Sequence, residues 1–384
     1  MKNYQMIIFL SIVFTIYTLV NLYIFFKGLN TITPNKANRM IYSSVFLLLS
    51  SAFIAGKFLE AGHSSLFSDI LNITGGFWMG FMLYSFLFLL ASDIIFFTTR
   101  LSGILAVDQI HACRKWAVLI SSSAAVMLIA GGFVNSLIPV VRSYEITIDK
   151  PAGGLKSLRV AAVSDIHLGS VIRARSMRKL SSALEKMKPD IVFLLGDVVD
   201  GEIGPVLRGD LLKHFTKPHA REGTFAITGN HEFIGGAKRT IPYIESKGIK
   251  VLQDESIVIM GAIQVIGRID RDSFRFNSKR RKSIEELTGD IDHSLPVILL
   301  DHQPLKLEES EKYGVDLQLS GHTHDGQMWP INYLTRAIYE VSHGISRKGN
   351  TWIIVSSGYG SWGPRIRSGS RSEIVLVDIH VLEE

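Results

Sequence analysis

Four long apolar stretches in the first 141 residues constrain this chain more than any other feature. They run Tyr4–Phe26, Met40–Leu59, Ile73–Phe97 and Trp116–Val141. Each is long enough to cross a bilayer, whose hydrocarbon core takes roughly 20 residues of α-helix. A helix at the surface of a soluble protein keeps one polar face, and these stretches keep none over most of their length. They raise the mean hydropathy to +0.24 for a 384-residue chain in which one fifth of the residues are charged. The first stretch lacks a small-residue cleavage site and three more spans follow it, so it is expected to be retained and not removed as a signal peptide.

Lys and Arg in the short joints predict the orientation. The first joint carries Lys27, Lys36 and Arg39, the second (Ala61–Asn72) has neither residue type, and the third carries Arg100, Arg114 and Lys115. The first and third joints are therefore expected in the cytoplasm. The N-terminus and everything after the fourth span are then expected outside, in a multi-pass protein of the cell membrane. A net charge of +6 suits contact with anionic lipid at least as well as nucleic acid. The single cysteine, Cys113, excludes an intramolecular disulfide framework and a cysteine-based zinc site. Asp93 is a charge inside the third span, where charges are costly unless paired, or it marks that span's end.

Beyond Val141 the pattern changes to short Val, Ile and Leu runs alternating with helical segments, which divides the chain into residues 1–141 and 142–384. Glu145–Asp149 and Leu158–Ser164 flank a Pro-Ala-Gly-Gly turn and are expected to pair as a hairpin. Further strands are expected at Ile191–Leu195, Thr224–Thr228, Val251–Ile259, Ile263–Arg268, Val297–Leu300, Asp316–Leu319, Thr351–Ser356 and Glu373–Ile379, with helices at Ser176–Lys188, Val206–Phe215 and Ala237–Lys247. Short apolar runs ended by polar loops indicate sheets buried on both faces, with function at the loop ends.

Five of those loop ends carry metal-binding residue types. They are Asp165-Ile166-His167, Gly196-Asp197-Val198-Val199-Asp200, Gly229-Asn230-His231-Glu232, Asp301-His302 and Gly321-His322-Thr323-His324. Imidazole, carboxylate and amide ligands without thiolate suit Zn, Fe or Mn in a catalytic role more than a purely structural zinc. Two such cations roughly 3.5–4 Å apart clamp a phosphoryl group and activate water for in-line attack. The glycines before Asp197, Asn230 and His322 suit places where a strand turns tightly into a ligand loop.

The ordered set D-x-H, G-D-x-x-D, G-N-H-E, H, G-H-x-H between Asp165 and His324 resembles the calcineurin-like binuclear metallophosphoesterases, over about Leu158–Leu382. The stretch Val355–Arg367 and the four spans are similar to membrane-associated bacterial members. The resemblance implies an N-terminal four-helix transmembrane region followed by an α/β metallophosphoesterase domain, a two-sheet β-sandwich flanked by helices. It implies that Asp165, His167 and His324 hold one divalent ion (Mn, Fe or Zn), that Asn230, His302 and His322 hold a second, and that Asp197 bridges them with a hydroxide. His231 would then stabilise the phosphoryl oxygens and protonate the leaving group, with Asp200 orienting its ring. The protein-phosphatase branch has Arg where this chain has Gly201, which argues against a phosphoprotein substrate.

The implied function is hydrolysis of a phosphodiester or pyrophosphate bond, in a lipid-linked or envelope substrate. A nuclease or nucleotide phosphodiesterase is the alternative, but no stripe of basic and aromatic residues marks a nucleic-acid groove. A receptor or scaffold with a vestigial site is the non-enzymatic alternative, and the intact ligand set argues against it. Oligomeric state has no signature. Outside the motifs, His343, Asp270 and Asp272 are candidates to border the cleft, and Arg365 and Arg367 to hold an anion or a lipid headgroup. Lys279–Lys282 reads as a solvated basic face. Trp329, Trp352 and Trp362 suit stacking, interfacial contact or core packing.

Overall fold

The computed structural model describes residues 3–32, 34–104, 107–215, 219–277 and 279–382. The chain forms two compact units, Met1–Phe133 and Val134–Glu384. In the first, helices α1 (Asn3–Leu29), α2 (Lys36–Gly62) and α3 (Leu66–Leu101) are followed by α4 (Val107–Ser136). All four are long and apolar enough to span a membrane. Ile24, Phe46, Trp78 and Leu89 form their buried core, and Trp78 Nε1 donates to Asn21 Oδ1 at 3.0 Å. Asp93 is paired: Tyr23 Oη donates to it at 2.7 Å and Lys27 Nζ at 2.5 Å. A carboxylate at membrane depth is tolerated when its charge is met in this way.

The second unit contains two six-stranded sheets. One holds β1 (Val140–Pro151), β2 (Ser157–Val163), β3 (Ile191–Leu195), β4 (Thr224–Ile227), β5 (Lys250–Val251) and β12 (Glu373–Leu382). The other holds β6 (Glu255–Ile259), β7 (Ile263–Gly267), β8 (Val297–Leu300), β9 (Leu317–Ser320), β10 (Gly344–Lys348) and β11 (Thr351–Val355). Between the sheets lies a core of Val160, Phe193 and Val377 from one and Val265, Leu300 and Leu319 from the other. On the outer face of the first sheet, α5 (Ala174–Met187) buries Met177, Leu180 and Leu184. Short helices α6 (Gly204–Gly209), α7 (Asn230–Ile234) and α8 (Ala237–Glu245) follow the strands of that sheet.

The expected hairpin does not form. β12 lies between β1 and β2, parallel to the first and antiparallel to the second. Its residues Val375, Val377 and Ile379 are buried on the sandwich interior, and a partner more than 200 residues away leaves no local pattern to read. The other expected strands and helices form within a few residues of their expected bounds, except that the Val251–Ile259 segment splits into β5 and β6 and the Val206–Phe215 helix is cut short at Gly209, with a 3₁₀ turn at Lys213–Phe215. Strands β2, β3 and β4 are mutually parallel, as are β7, β8, β9 and β11. Parallel strands bring their carboxyl ends to one edge, where ligand-binding loops belong.

Candidate metal centre

Each motif begins one to three residues beyond a strand end. β2 delivers Asp165 and His167, β3 Asp197 and Asp200, β4 Asn230 and His231, β8 His302, and β9 His322 and His324. Ligand atoms of Asp165, His167 and His324 lie within 4.8 Å of one another, as do those of Asp197, His302 and His322, and those of His167, Asp200 and His231. The turns are tight. Asp165, His167, Asp197, His322 and His324 all have φ between 49° and 70°, a left-handed backbone that costs L-residues roughly 1–2 kcal/mol each. Only strongly determined loops, here those after β2, β3 and β9, hold five such residues.

Close packing enforces the geometry. A Cβ on Gly321 would lie 1.6 Å from Ser164 Oγ, and one on Gly229 would lie 2.1 Å from Asp197 Oδ1. Ser164 Oγ and the His322 N–H both donate to Asp165 Oδ2, the latter at 2.9 Å. The His231 N–H donates to Asp197 Oδ1 at 2.8 Å. The other carboxylate oxygens and the imidazoles face inward.

The donor set fits divalent cations. Asp165 Oδ1, Asn230 Oδ1 and His302 Nε2 are buried with no hydrogen-bond partner among the described residues. His302 Nδ1 lies 2.7 Å from the Leu195 carbonyl, so it donates there and leaves Nε2 as the edge a cation would use. That edge points at Asp197 Oδ2, 3.2 Å away. A carboxylate this close favours positive charge at the edge it faces, whether a proton on the ring or a bound cation. His167 Nε2 and His324 Nε2 lie 3.0 Å apart, and His324 Nε2 is 3.4 Å from Asp165 Oδ1.

Asp200 Oδ1 lies 3.1 Å from His167 Nδ1 and 3.2 Å from His231 Nδ1. The contact with His167 fixes the tautomer of that ring and leaves its Nε2 as the reactive edge, and the same oxygen lies beside the His231 ring. Electrostatics reflect the crowding of buried carboxylates. Burial works against protonating His167, yet Asp165, Asp200 and Asp197 raise its pKa to about 10. Burial also works against His302⁺, and Asp197 above all raises it. His322, pushed down by burial and by His302, falls to about 4 and is neutral near pH 7.

Two residues with structural parts to play carried no assigned role in the motifs. Glu232, wholly buried, accepts N–H groups of Asp197 (3.0 Å), Val199 (3.0 Å) and Gly229 (2.7 Å). It ties the β3 and β4 loops together. Its signal is visible in hindsight, since an acid three residues after the helix-capping glycine is the spacing of a capping box. Burial first, and the charge of Asp197 second, raise its pKa to about 7. Arg367 is fully buried; its guanidinium reaches the Gly360 and Arg371 carbonyls, Ser370 Oγ and His324 Nδ1, the last at 3.0 Å. It orients a candidate ligand and is not available to an outside anion, which corrects the expectation of a headgroup site there.

The remaining candidates are placed as follows. Arg365 donates to Ser176 Oγ at 3.0 Å. His343 Nε2 is 3.0 Å from Glu373 Oε2. Asp270 accepts from Gln303 Nε2 at 3.0 Å and from the Asp272 N–H at 2.8 Å. The basic run is not wholly solvated, because Arg281 and Arg268 both pair with buried Asp301. Trp352 is half-buried and donates to the Thr147 carbonyl, while Trp329 and Trp362 are exposed.

Comparison with known proteins agrees with this geometry. Residues 158–326 match the calcineurin-like phosphoesterase family. An uncharacterized metallophosphoesterase of Aquifex aeolicus is 33% identical over 258 residues, 66% of this chain and 97% of its own length. A transmembrane protein with metallophosphoesterase domain from Bos taurus is 26% identical over 357 residues, 88% of this chain and 79% of its own length. The UDP-2,3-diacylglucosamine pyrophosphatase LpxG of Chlamydia trachomatis is 25% identical over 291 residues, 60% of this chain and 86% of its own length. With strand-end carboxylates and imidazoles gathered within ligand distance of one another, and a bacterial relative matched nearly end to end, the chain belongs to the calcineurin-like metallophosphoesterases and is a phosphoester hydrolase.

Proposed function

We propose that the protein is a membrane-anchored phosphodiesterase or pyrophosphatase that acts on a lipid-linked or envelope substrate with the help of two divalent cations, Mn, Fe or Zn. Asp165, His167 and His324 would hold one, Asn230, His302 and His322 the other, and Asp197 both. The observation that carries this reading is the place of Asp197 between two ligand groups: its Oδ2 lies 3.2 Å from His302 Nε2 in its own group and 3.8 Å from His167 Nε2 in the other. Bound there, the cations would neutralise phosphoryl oxygens and lower the pKa of a water for in-line attack.

The chain's own residues do the rest. His231, only partly buried, has its Nδ1 against Asp200, so its Nε2 edge is free to donate a proton to the departing oxygen. Asp200 holds that ring and the His167 ring in place together. The lipid-linked substrate is favoured by four candidate spans and by the likeness to a relative whose name records a diacylated pyrophosphate substrate. Charge in the joints favours a catalytic unit outside the cytoplasm.

Purified full-length protein with Mn²⁺ is expected to hydrolyse bis(p-nitrophenyl) phosphate and a diacylated sugar-nucleotide pyrophosphate. Asp197→Ala is expected to lower turnover by roughly 10²–10³-fold, on the order seen when a core electrostatic group is lost. Full activity in that variant would reject the two-cation assignment. Hydrolysis of single-stranded DNA in preference to the lipid would reject the substrate class.

A further inference from the structure

The helix at Ile331–Ile338, seven residues beyond His324, is built inside out. Its buried positions are Asn332 and Thr335, whereas Ile331, Tyr333, Leu334 and Ile338 are 39%, 63%, 61% and 63% exposed. Ile331, Leu334 and Ile338 fall on one helical stripe. Trp329 and Trp362 extend the same surface, 39% and 58% exposed. Their loops are joined: Gln327 Nε2 donates to the Trp362 carbonyl at 2.9 Å, and the Trp329 N–H donates to Ser368 Oγ at 3.2 Å. An exposed apolar face of this extent in a soluble unit calls for a partner.

The structure points to the bilayer surface as that partner, and we propose that this helix and the two tryptophans dip into the lipid interface. Three observations favour lipid. The residues are the aliphatic and Trp/Tyr mixture that settles at the headgroup boundary. The loop bearing Trp362 is fastened to the point where the chain leaves its fourth candidate span: Asn135 Nδ2 donates to the carbonyls of Arg367 (2.6 Å) and Ser370 (2.9 Å), and Ser372 Oγ donates to the Ser136 carbonyl (3.3 Å). That span runs Cys113–Ser136, so Asn135 and Ser136 mark its boundary. The surface also adjoins the candidate centre, since the Tyr339 ring at the helix end is 6.2 Å from the ring of His322. An amphiphile lying in that interface would meet the centre without leaving the lipid, a consequence that rests on the hydrolysis proposed above; the lipid contact itself does not.

The test uses the full chain in nanodiscs of phosphatidylcholine and phosphatidylglycerol, with Cys113→Ala removing the native thiol. Leu334→Cys is labelled with a polarity-sensitive fluorophore and quenched by lipids brominated on their acyl chains. Arg221→Cys, on an exposed side chain, serves as reference. The expected result is at least threefold stronger quenching at position 334 than at 221. Equal quenching overturns the proposal, as does a thiol cross-link between two chains at 334 without quenching, which would assign the face to a second copy. Ile338→Cys reads the same stripe should the first label disturb the helix. Because quenching needs no turnover, failure of the contact and failure of the proposed hydrolysis are separate outcomes.

Discussion

At the scale of single residues, the candidate ligands were legible because metal chemistry restricts residue types and strand ends restrict their places. The residues that hold the ligands were not, because they act through backbone contacts that span the fold. Glu232 is the clearest case. Removing its carboxylate strands three buried N–H groups on the two loops that carry Asp197 and Asn230. Glu232→Ala is expected to cost about 2–4 kcal/mol of stability, given roughly 1–3 kcal/mol for each buried donor left unmet and partial relaxation. It is also expected to lower the bound metal per chain, measured by thermal denaturation alongside elemental analysis. Wild-type metal content in the variant would limit Glu232 to a purely local part. Arg367 shows the reverse error. Its charge drew attention to outside anions, while its burial turns every part of the guanidinium toward the fold.

Secondary elements were legible where their signal is local. The four apolar stretches and the short buried strands declare themselves through length and periodicity, whereas the insertion of β12 between β1 and β2 depends on pairing across the sequence. The start of β12 is a junction. Glu373 accepts from Arg142 Nε of β1 at 2.8 Å and the Ser357 N–H at 2.8 Å, with His343 Nε2 at 3.0 Å. Burial pushes its carboxyl up, but His343 and the Ser357 N–H more than offset this and hold it below the ordinary 4.5. A depressed folded-state value favours the folded chain above the unfolded pKa, and that contribution is lost as pH falls through the folded one. The melting temperature of the wild type is therefore expected to fall more steeply below about pH 4.5 than that of Glu373→Gln. Parallel curves over pH 3–7 would show that Glu373 is not the controlling group.

For the whole molecule, the residue groups fit for a divalent cation and the four candidate spans set the tests. Carboxylates and imidazoles crowded at the centre should make the folded unit more stable when a cation is bound. Binding at a thousandfold excess over Kd contributes roughly 4 kcal/mol per site. Chelation is therefore expected to lower the melting temperature by several degrees and added Mn²⁺ to restore it; an unchanged transition would mean that these groups hold no cation in solution. Orientation is tested in intact cells, where external protease is expected to digest the unit that begins at Val134. Digestion only after lysis would place that unit in the cytoplasm.

The position of β12 has a consequence for biosynthesis. β2, which delivers Asp165 and His167, has one of its two neighbours in a strand that begins at Glu373. While the ribosome is still making that segment, β1 and β2 each present an unpaired edge, and the sheet around the ligand loops is unfinished. Completion of that sheet would thus wait for the C-terminal strand, whatever the order in which the ligands are synthesised. A chain cut short before Glu373 would keep both edges open.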